Sequence, residues 1–199
     1  MSNNSITTDK RSSGYGSAES LEEAKLLHGS SFDDNPAVYV GTYGKYNEGS
    51  LYGMWVDLTT FDCYDDFIDF CKLLHQDEDD PEFMHQDFEN FPKSWYCESS
   101  MGEETFDRII EFSKLGTDER AAYECYLDDF NSKADIEEFK EHYMGEWGSE
   151  EDFGQHIVEE LYSEKLNDDF FARYFNYEAF AKDLFIDDYY YANGYVFQR

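Results

Sequence analysis

Between Asp62 and Glu82 the chain reads DCYDDFIDFCKLLHQDEDDPE, and its first half carries two stripes at one spacing. Phe67, Phe70, Cys71 and Leu74 stand at i, i+3, i+4 and i+7, the period of a buried helix face. Asp62, Asp65, Asp66 and Asp69 repeat that spacing five residues earlier. At about 100° per residue the acidic stripe lies about 140° around the helix from the apolar one. Such a helix must bury one face in a core and hold a column of carboxylates in water. Acids continue through Asp77, Glu78, Asp79, Asp80 and Glu82, with Lys72 the lone cation of the stretch.

The same tension runs through the whole sequence. Its 199 residues hold 15 Lys+Arg against 46 Asp+Glu, a net charge of −31. Acidity of that size often marks disorder, because too little apolar surface is available to bury. Here 19% of residues are aromatic, with 18 Phe and 17 Tyr, enough for a folded aromatic interior under an anionic exterior. That exterior repels nucleic acid and membrane headgroups and attracts basic protein surfaces. Neither direct nucleic-acid binding nor a membrane role is expected, and no run approaches the roughly 18 apolar residues of a span.

Cys63, Cys71, Cys97 and Cys125 form no CxxC pair. Cys63 and Cys71 would lie about 12 Å apart along a continuous helix, beyond the reach of a disulfide. With no secretory signal to be read, all four are expected to be reduced, small core residues of a cytoplasmic protein.

The organisation expected is α+β: an elongated series of three small domains after a flexible extension. Residues 1–36 are the extension, rich in Ser, Asn and Gly, with a short helix within Leu21–Leu27. Residues 37–100 form the first α+β domain, in which AVYVGTY and SLYGMWVDL make a hairpin around a KYNEG turn. Thr59–Asp62 offer caps for the acidic helix, and EFMHQDF from Glu82 to Phe88 offers a third strand. Residues 101–142 read as a helical domain. Phe106, Ile109, Ile110 and Ser113 make one stripe, Gly116 a stop, and Thr117 the cap of a helix with Ala121, Ala122 and Cys125 inward. Asp135 opens a further helix in a capping-box arrangement. Residues 143–199 form a third α+β unit: a strand at YMGEW, a helix capped by Ser149, a helix capped by Asn176, and a closing hairpin. FIDDYYY and GYVFQ flank the Asn193-Gly194 turn of that hairpin.

Chemistry-bearing motifs fail one by one. GTYGKYNEGS lacks the first glycine of a phosphate loop, Tyr39 standing there, and Tyr46 replaces the Ser or Thr after Lys45. The acids from Asp77 onward resemble a calcium loop, yet Glu82 and Phe88 occupy the positions that need Gly and Glu. His28, His75, His85, His142 and His156 show no metal-ligand spacing, and His156 reads as a core residue on an apolar helix face. No nucleophile elbow is present, and neither catalysis nor a cofactor is expected. What remains is the charge. Laid out at the density of duplex DNA, one charge per roughly 1.7 Å, it would run for about 50 Å.

The segment YVGTYGKYNEGSLYGMWVDL (39–58) resembles the opening block of the ArdA antirestriction proteins. Further blocks match in order at 82–92, 136–161 and 176–197, so the resemblance spans 37–199 and leaves the N-terminal 36 residues outside it. It implies an elongated, dimeric DNA mimic from a mobile element. Such a protein occupies the DNA-binding groove of a type I restriction–modification enzyme, blocking restriction and often modification. The phosphate-mimicking acids would then be Asp62, Asp65, Asp66, Asp69, Asp107, Glu111, Glu137, Glu138, Glu141, Glu150, Glu151, Glu159 and Glu160. Tyr143, Met144 and Trp147 are candidates for the dimer contact. The alternative from another class is an acidic interaction protein that sequesters a different basic target, such as a nucleoid or repair factor.

Overall fold

A computed structural model describes residues 18–31, 33–166 and 173–199. The architecture is α+β, with two three-stranded antiparallel sheets ordered β2-β1-β3 and β4-β6-β5. The chain divides into two compact units, Met1–Lys114 and Leu115–Arg199, a boundary that falls inside the segment 101–142.

In the first unit β1 (Ala37–Thr42) is the central strand and is almost wholly buried. It pairs with β2 (Met54–Asp57) through Val38↔Val56 and with β3 (Phe83–Glu89), where the register shifts between Tyr39 and Val40. The expected hairpin and third strand are therefore present, but KYNEG is not a tight turn. Tyr43–Asn47 winds into a short helix, α2, capped when the Thr42 hydroxyl accepts from the Lys45 N–H at 3.3 Å. Within the stretch expected as a flexible extension, Ala18–His28 forms α1. Ala24 and His28 are buried, and Gly29 bridges to Val56 on the outer edge of β2.

The acidic helix is α3 (Tyr64–Leu74), and the residues it buries are Phe67, Phe70, Cys71 and Leu74, the stripe read from spacing. Its start differs from expectation. Asp62 lies before the helix, Cys63 occupies the N-cap without a side-chain bond, and Asp57 instead caps the 3-10 turn Leu58–Thr60. Asp57 is held there because its carboxylate accepts from both the N–H and the hydroxyl of Thr59. Against α3 packs α4 (Glu103–Ser113), with Phe67 stacked on Phe106 at 5.8 Å and the Tyr64 hydroxyl donating to the Met101 carbonyl.

The second unit begins with α5 (Thr117–Asp129) and α6 (Ile136–His142). Gly116, expected to stop α4, is the N-cap of α5, and its N–H donates to Glu119 at 3.1 Å. The turn after α4 is so short that the glycine serves the next helix. The inner face of α5 is shifted as well. Ala121 is exposed while Tyr123 and Tyr126 are fully buried. A buried tyrosine needs an acceptor, and Tyr123 donates to the Ala134 carbonyl at 2.7 Å.

Asp135, Ser149 and Asn176 cap as their positions imply, each accepting from a backbone N–H three residues on. The strand β4 (Tyr143–Glu146), helix α7 (Glu150–Leu166), helix α8 (Tyr177–Asp187), β5 (Tyr189–Ala192) and β6 (Tyr195–Gln198) follow. Residues 185–187, expected to open a strand, belong to α8. Asn193 and Gly194 both take positive φ, 51° and 93°, the backbone that a two-residue hairpin needs. Gly154 lets α7 and α8 approach; a Cβ there would lie 2.8 Å from that of Ala181.

Candidate functional site

With one face of α3 in the core, its first turn presents Asp65 and Asp66 to solvent. Both sit where the helix dipole favours negative charge. Asp62 is exposed just before the helix, and Asp69 is partly covered and paired with Lys72 at 3.0 Å. On α4 Asp107 and Glu111 are exposed, Glu111 bonded to Lys114. An exposed pair of this kind contributes little to stability, so these carboxylates remain open to exchange with a partner's cations.

The acidic loop after α3 has a different use. The Lys45 ammonium, its side chain 12% exposed, lies 2.7 Å from Asp77 and 3.1 Å from Glu78. The Thr42 hydroxyl donates to the same Glu78 oxygen at 2.7 Å. The Lys45 hydrogen bond holds the Asp77 carboxyl below its usual range. Burial would raise that of Glu78, but the Thr42 and Lys45 bonds outweigh it and lower it. What resembles a calcium loop in sequence thus neutralises the lysine of α2 and ties that helix to the end of α3.

In the second unit Glu137 and Glu141 are exposed on α6, and Glu150, Glu151, Glu159 and Glu160 are exposed on α7. Glu138 is engaged internally, accepting from Asn131 at 2.6 Å and from the buried Tyr126 hydroxyl at 3.5 Å. Burial, then the Glu138 charge, pushes the Tyr126 hydroxyl up to about 12. Sequence reading passed over α5, where Glu124 and Asp128 stand one turn apart. Desolvation first, and the Asp128 charge second, raise the Glu124 carboxyl. The signal was available as a like-charge i, i+4 pair.

The family model described as Antirestriction protein (ArdA) matches residues 38–197. The chain belongs to the ArdA antirestriction family. Comparison with curated proteins gave no match. Membership implies an antirestriction function directed at restriction–modification enzymes, and the ArdA family is not a known enzyme family. The matched segment carries both sheets and every acid named above, whereas α1 lies outside it.

In this ArdA chain the residues expected at a dimer contact are half-buried against their own unit. Tyr143 stacks on Phe139 at 5.0 Å, and Trp147 packs on Phe153 and donates to the Met144 carbonyl at 2.9 Å. His156, read as a core residue, is instead 38% exposed, lying beside Trp147 and 3.6 Å from Glu160. The helix buries Phe153 and Val158, so the inner face runs through those positions. Cys71 and Cys125 are buried, whereas Cys63 and Cys97 are exposed, contrary to a core role for all four. The exposed pair sits at a helix cap and in a loop, where no face must be filled. Among the described residues no group of three or more His, Cys, Asp or Glu is placed to hold a metal ion, and no helix is long and apolar enough to cross a membrane.

Proposed function

We propose that this chain blocks restriction by standing in for B-form DNA in the DNA-binding groove of a type I restriction–modification enzyme. The observation that carries this reading is the display of exposed carboxylates on α3, α4, α6 and α7 in a chain of net charge −31. An enzyme groove that binds phosphates is lined with Lys and Arg, and each exposed carboxylate offers such a cation the same charge and the same acceptor oxygens. Binding requires no cofactor. The partner's counterions and those of the acidic surface are released together, so affinity falls steeply with salt. A groove that serves both DNA cleavage and methylation would be closed to both.

The acids proposed as phosphate substitutes are the exposed ones for which the described residues show no ion pair: Asp62, Asp65, Asp66, Asp107, Glu137, Glu141, Glu150 and Glu151, with Asp69, Glu111, Glu159 and Glu160 available on exchange of a local partner. Glu138 contributes less, because its carboxylate is already accepting inside the unit. A homodimer is part of the proposal, with the half-buried Tyr143, Met144 and Trp147 at the contact. Cleavage of unmodified DNA by a purified type I enzyme, with increasing amounts of this protein, tests the reading. Inhibition at low salt that fades as salt rises supports it, and undiminished cleavage at excess inhibitor refutes it.

A further inference from the structure

The helix outside the family-matched segment, α1, closes on its unit through a titratable ring. His28, 3% exposed, stacks on Phe61 with ring centroids 4.1 Å apart and meets Phe70 of α3 at 4.9 Å. Its Nδ1 stands 2.8 Å from the Thr60 hydroxyl, which itself donates to the Asp57 carbonyl at 2.7 Å. A hydroxyl has one proton to give, so Thr60 accepts from His28 and the neutral ring carries its proton on Nδ1. Acid therefore adds the second proton at Nε2. Two carboxylates act on the ring. Asp57 is occupied, one oxygen accepting from the Thr59 N–H and hydroxyl and the other from Asn35. Asp66 of α3 is exposed, so water screens its pull. Both favour a charged ring, and burial outweighs them. On α1 itself the charged neighbour one turn back is Lys25, bonded to Glu22 at 3.0 Å.

Beside that ring, α1 is fastened by the buried Ala24, by Lys25 lying 5.8 Å from the Tyr52 ring centroid, by the bridge from Gly29 to Val56, and by the Ser30 N–H donating to the Trp55 carbonyl at 3.1 Å. The chain that follows has an anchor of its own. The Asn90 side chain donates to the carbonyls of Asp33 at 2.8 Å and Asn35 at 3.0 Å, and the Leu58 N–H donates to the Pro36 carbonyl at 3.0 Å. The sheet thus keeps its pairing if α1 leaves. We infer that α1 is a pH-released latch: the neutral His28 ring holds it on Phe61, Phe70 and the outer edge of β2, and protonation of that ring frees it while the rest of the unit stays folded. A released ring in water titrates near the ordinary 6.5, whereas the docked ring resists charge. Docking is therefore full above about pH 6.5 and weakens as pH falls below it. His75 and His85 act differently, because they sit at the C-cap of α3 and within β3, inside the anchored part of the unit. Release uncovers the faces of Phe61 and Phe70 that His28 covers, and strips Gly29 and Ser30 from the edge of β2.

Hydrogen exchange of the full chain between about pH 7.5 and 5, with protection taken relative to the intrinsic rate at each pH, tests this. Peptides from residues 21–31 are expected to lose about tenfold or more of their protection over that range, while those of β1 and α4 keep theirs. His28→Phe retains a ring for the stack and has no proton to gain, so its α1 is expected to stay protected down to about pH 5. His28→Gln keeps a donor for Thr60 and gives the same comparison should the phenylalanine fail to dock at neutral pH. An α1 without protection at the upper pH, or one that keeps it at the lower, overturns the inference. So does an α1 that loses protection only together with β1 and α4, because the unit then unfolds as a whole. A loss of wild-type size in the docked variant removes His28 as the cause and overturns the inference as well.

Discussion

The ammonium of Lys45 lies 3.0 Å from Nδ1 of His75, a ring with no solvent exposure. A cation at that distance requires a neutral imidazole. Burial first, then Lys45, lowers the His75 pKa from 6.5, while Asp77 and Glu78 keep the lysine charged against its own burial. His28 and His85 are also buried in this unit, and burial lowers both.

The sign of the pH dependence follows. The folded pKa of each ring lies below its unfolded value, so the unfolded chain takes up protons first as pH falls. Stability is full above about pH 6.5 and declines below it, with further loss below the ordinary carboxylate range as Asp77 and Glu78 protonate. A Trp147→Phe variant leaves Trp55 and Trp95 as reporters of the first unit. Its fluorescence melting temperature is expected to drop between about pH 7 and 5; a flat profile contradicts the account. At neutral pH, Lys45→Met should cost about 2 kcal/mol, because Glu78 is left partly buried without its cation.

Packing of α7 on α8 depends on Gly154, where an added Cβ would come within 2.8 Å of the Ala181 Cβ and 3.2 Å of its Cα. Ala181 has no side chain beyond Cβ and cannot swing aside. Gly154→Val should therefore destabilise the second unit by about 1–3 kcal/mol, measured by denaturant melts of the Trp147 signal.

Cys97 differs from the other thiols. Hydrogen bonds from Ser99 and Ser100 bring its pKa down to about 7, whereas burial raises those of Cys71 and Cys125. Iodoacetamide should label Cys97 fastest at neutral pH, with its rate rising through about pH 7. Ser99→Ala/Ser100→Ala should move that rise toward 9, the ordinary value. Mass spectrometry of the labelled peptides reads the outcome.

Local signals were legible where one stretch of chain settles its own geometry. The apolar stripe of α3, the caps Asp135, Ser149 and Asn176, and the Asn193-Gly194 turn all satisfy their backbone needs within a few residues. What the sequence concealed lies between distant residues. Lys45 meets Asp77 across 32 positions, and only that contact explains why the acidic loop is structural. The Tyr123 hydroxyl finds Ala134, which allows a tyrosine where an alanine face was expected. The family resemblance points to the acids of the candidate surface, but nothing in the sequence separates Glu138, spent inside the fold, from its exposed neighbours Glu137 and Glu141.

Charge neutralisation should act by number rather than by identity. Asp65→Asn or Asp66→Asn alone is expected to change enzyme affinity by no more than about threefold, as for one screened surface contact. Replacing Asp62, Asp65, Asp66 and Asp69 together should weaken it by well over tenfold and flatten its salt dependence. Glu138→Gln should behave differently, lowering thermal stability through the Asn131 and Tyr126 bonds more than it lowers affinity.

Displacement of labelled duplex DNA from a type I enzyme, followed by fluorescence anisotropy over a range of salt, tests mimicry most directly. The account predicts complete displacement, competitive with DNA, and an inhibitor affinity that falls by about 10³ between 50 and 200 mM salt. An enzyme that keeps its DNA in a ternary complex with excess inhibitor at low salt would contradict it.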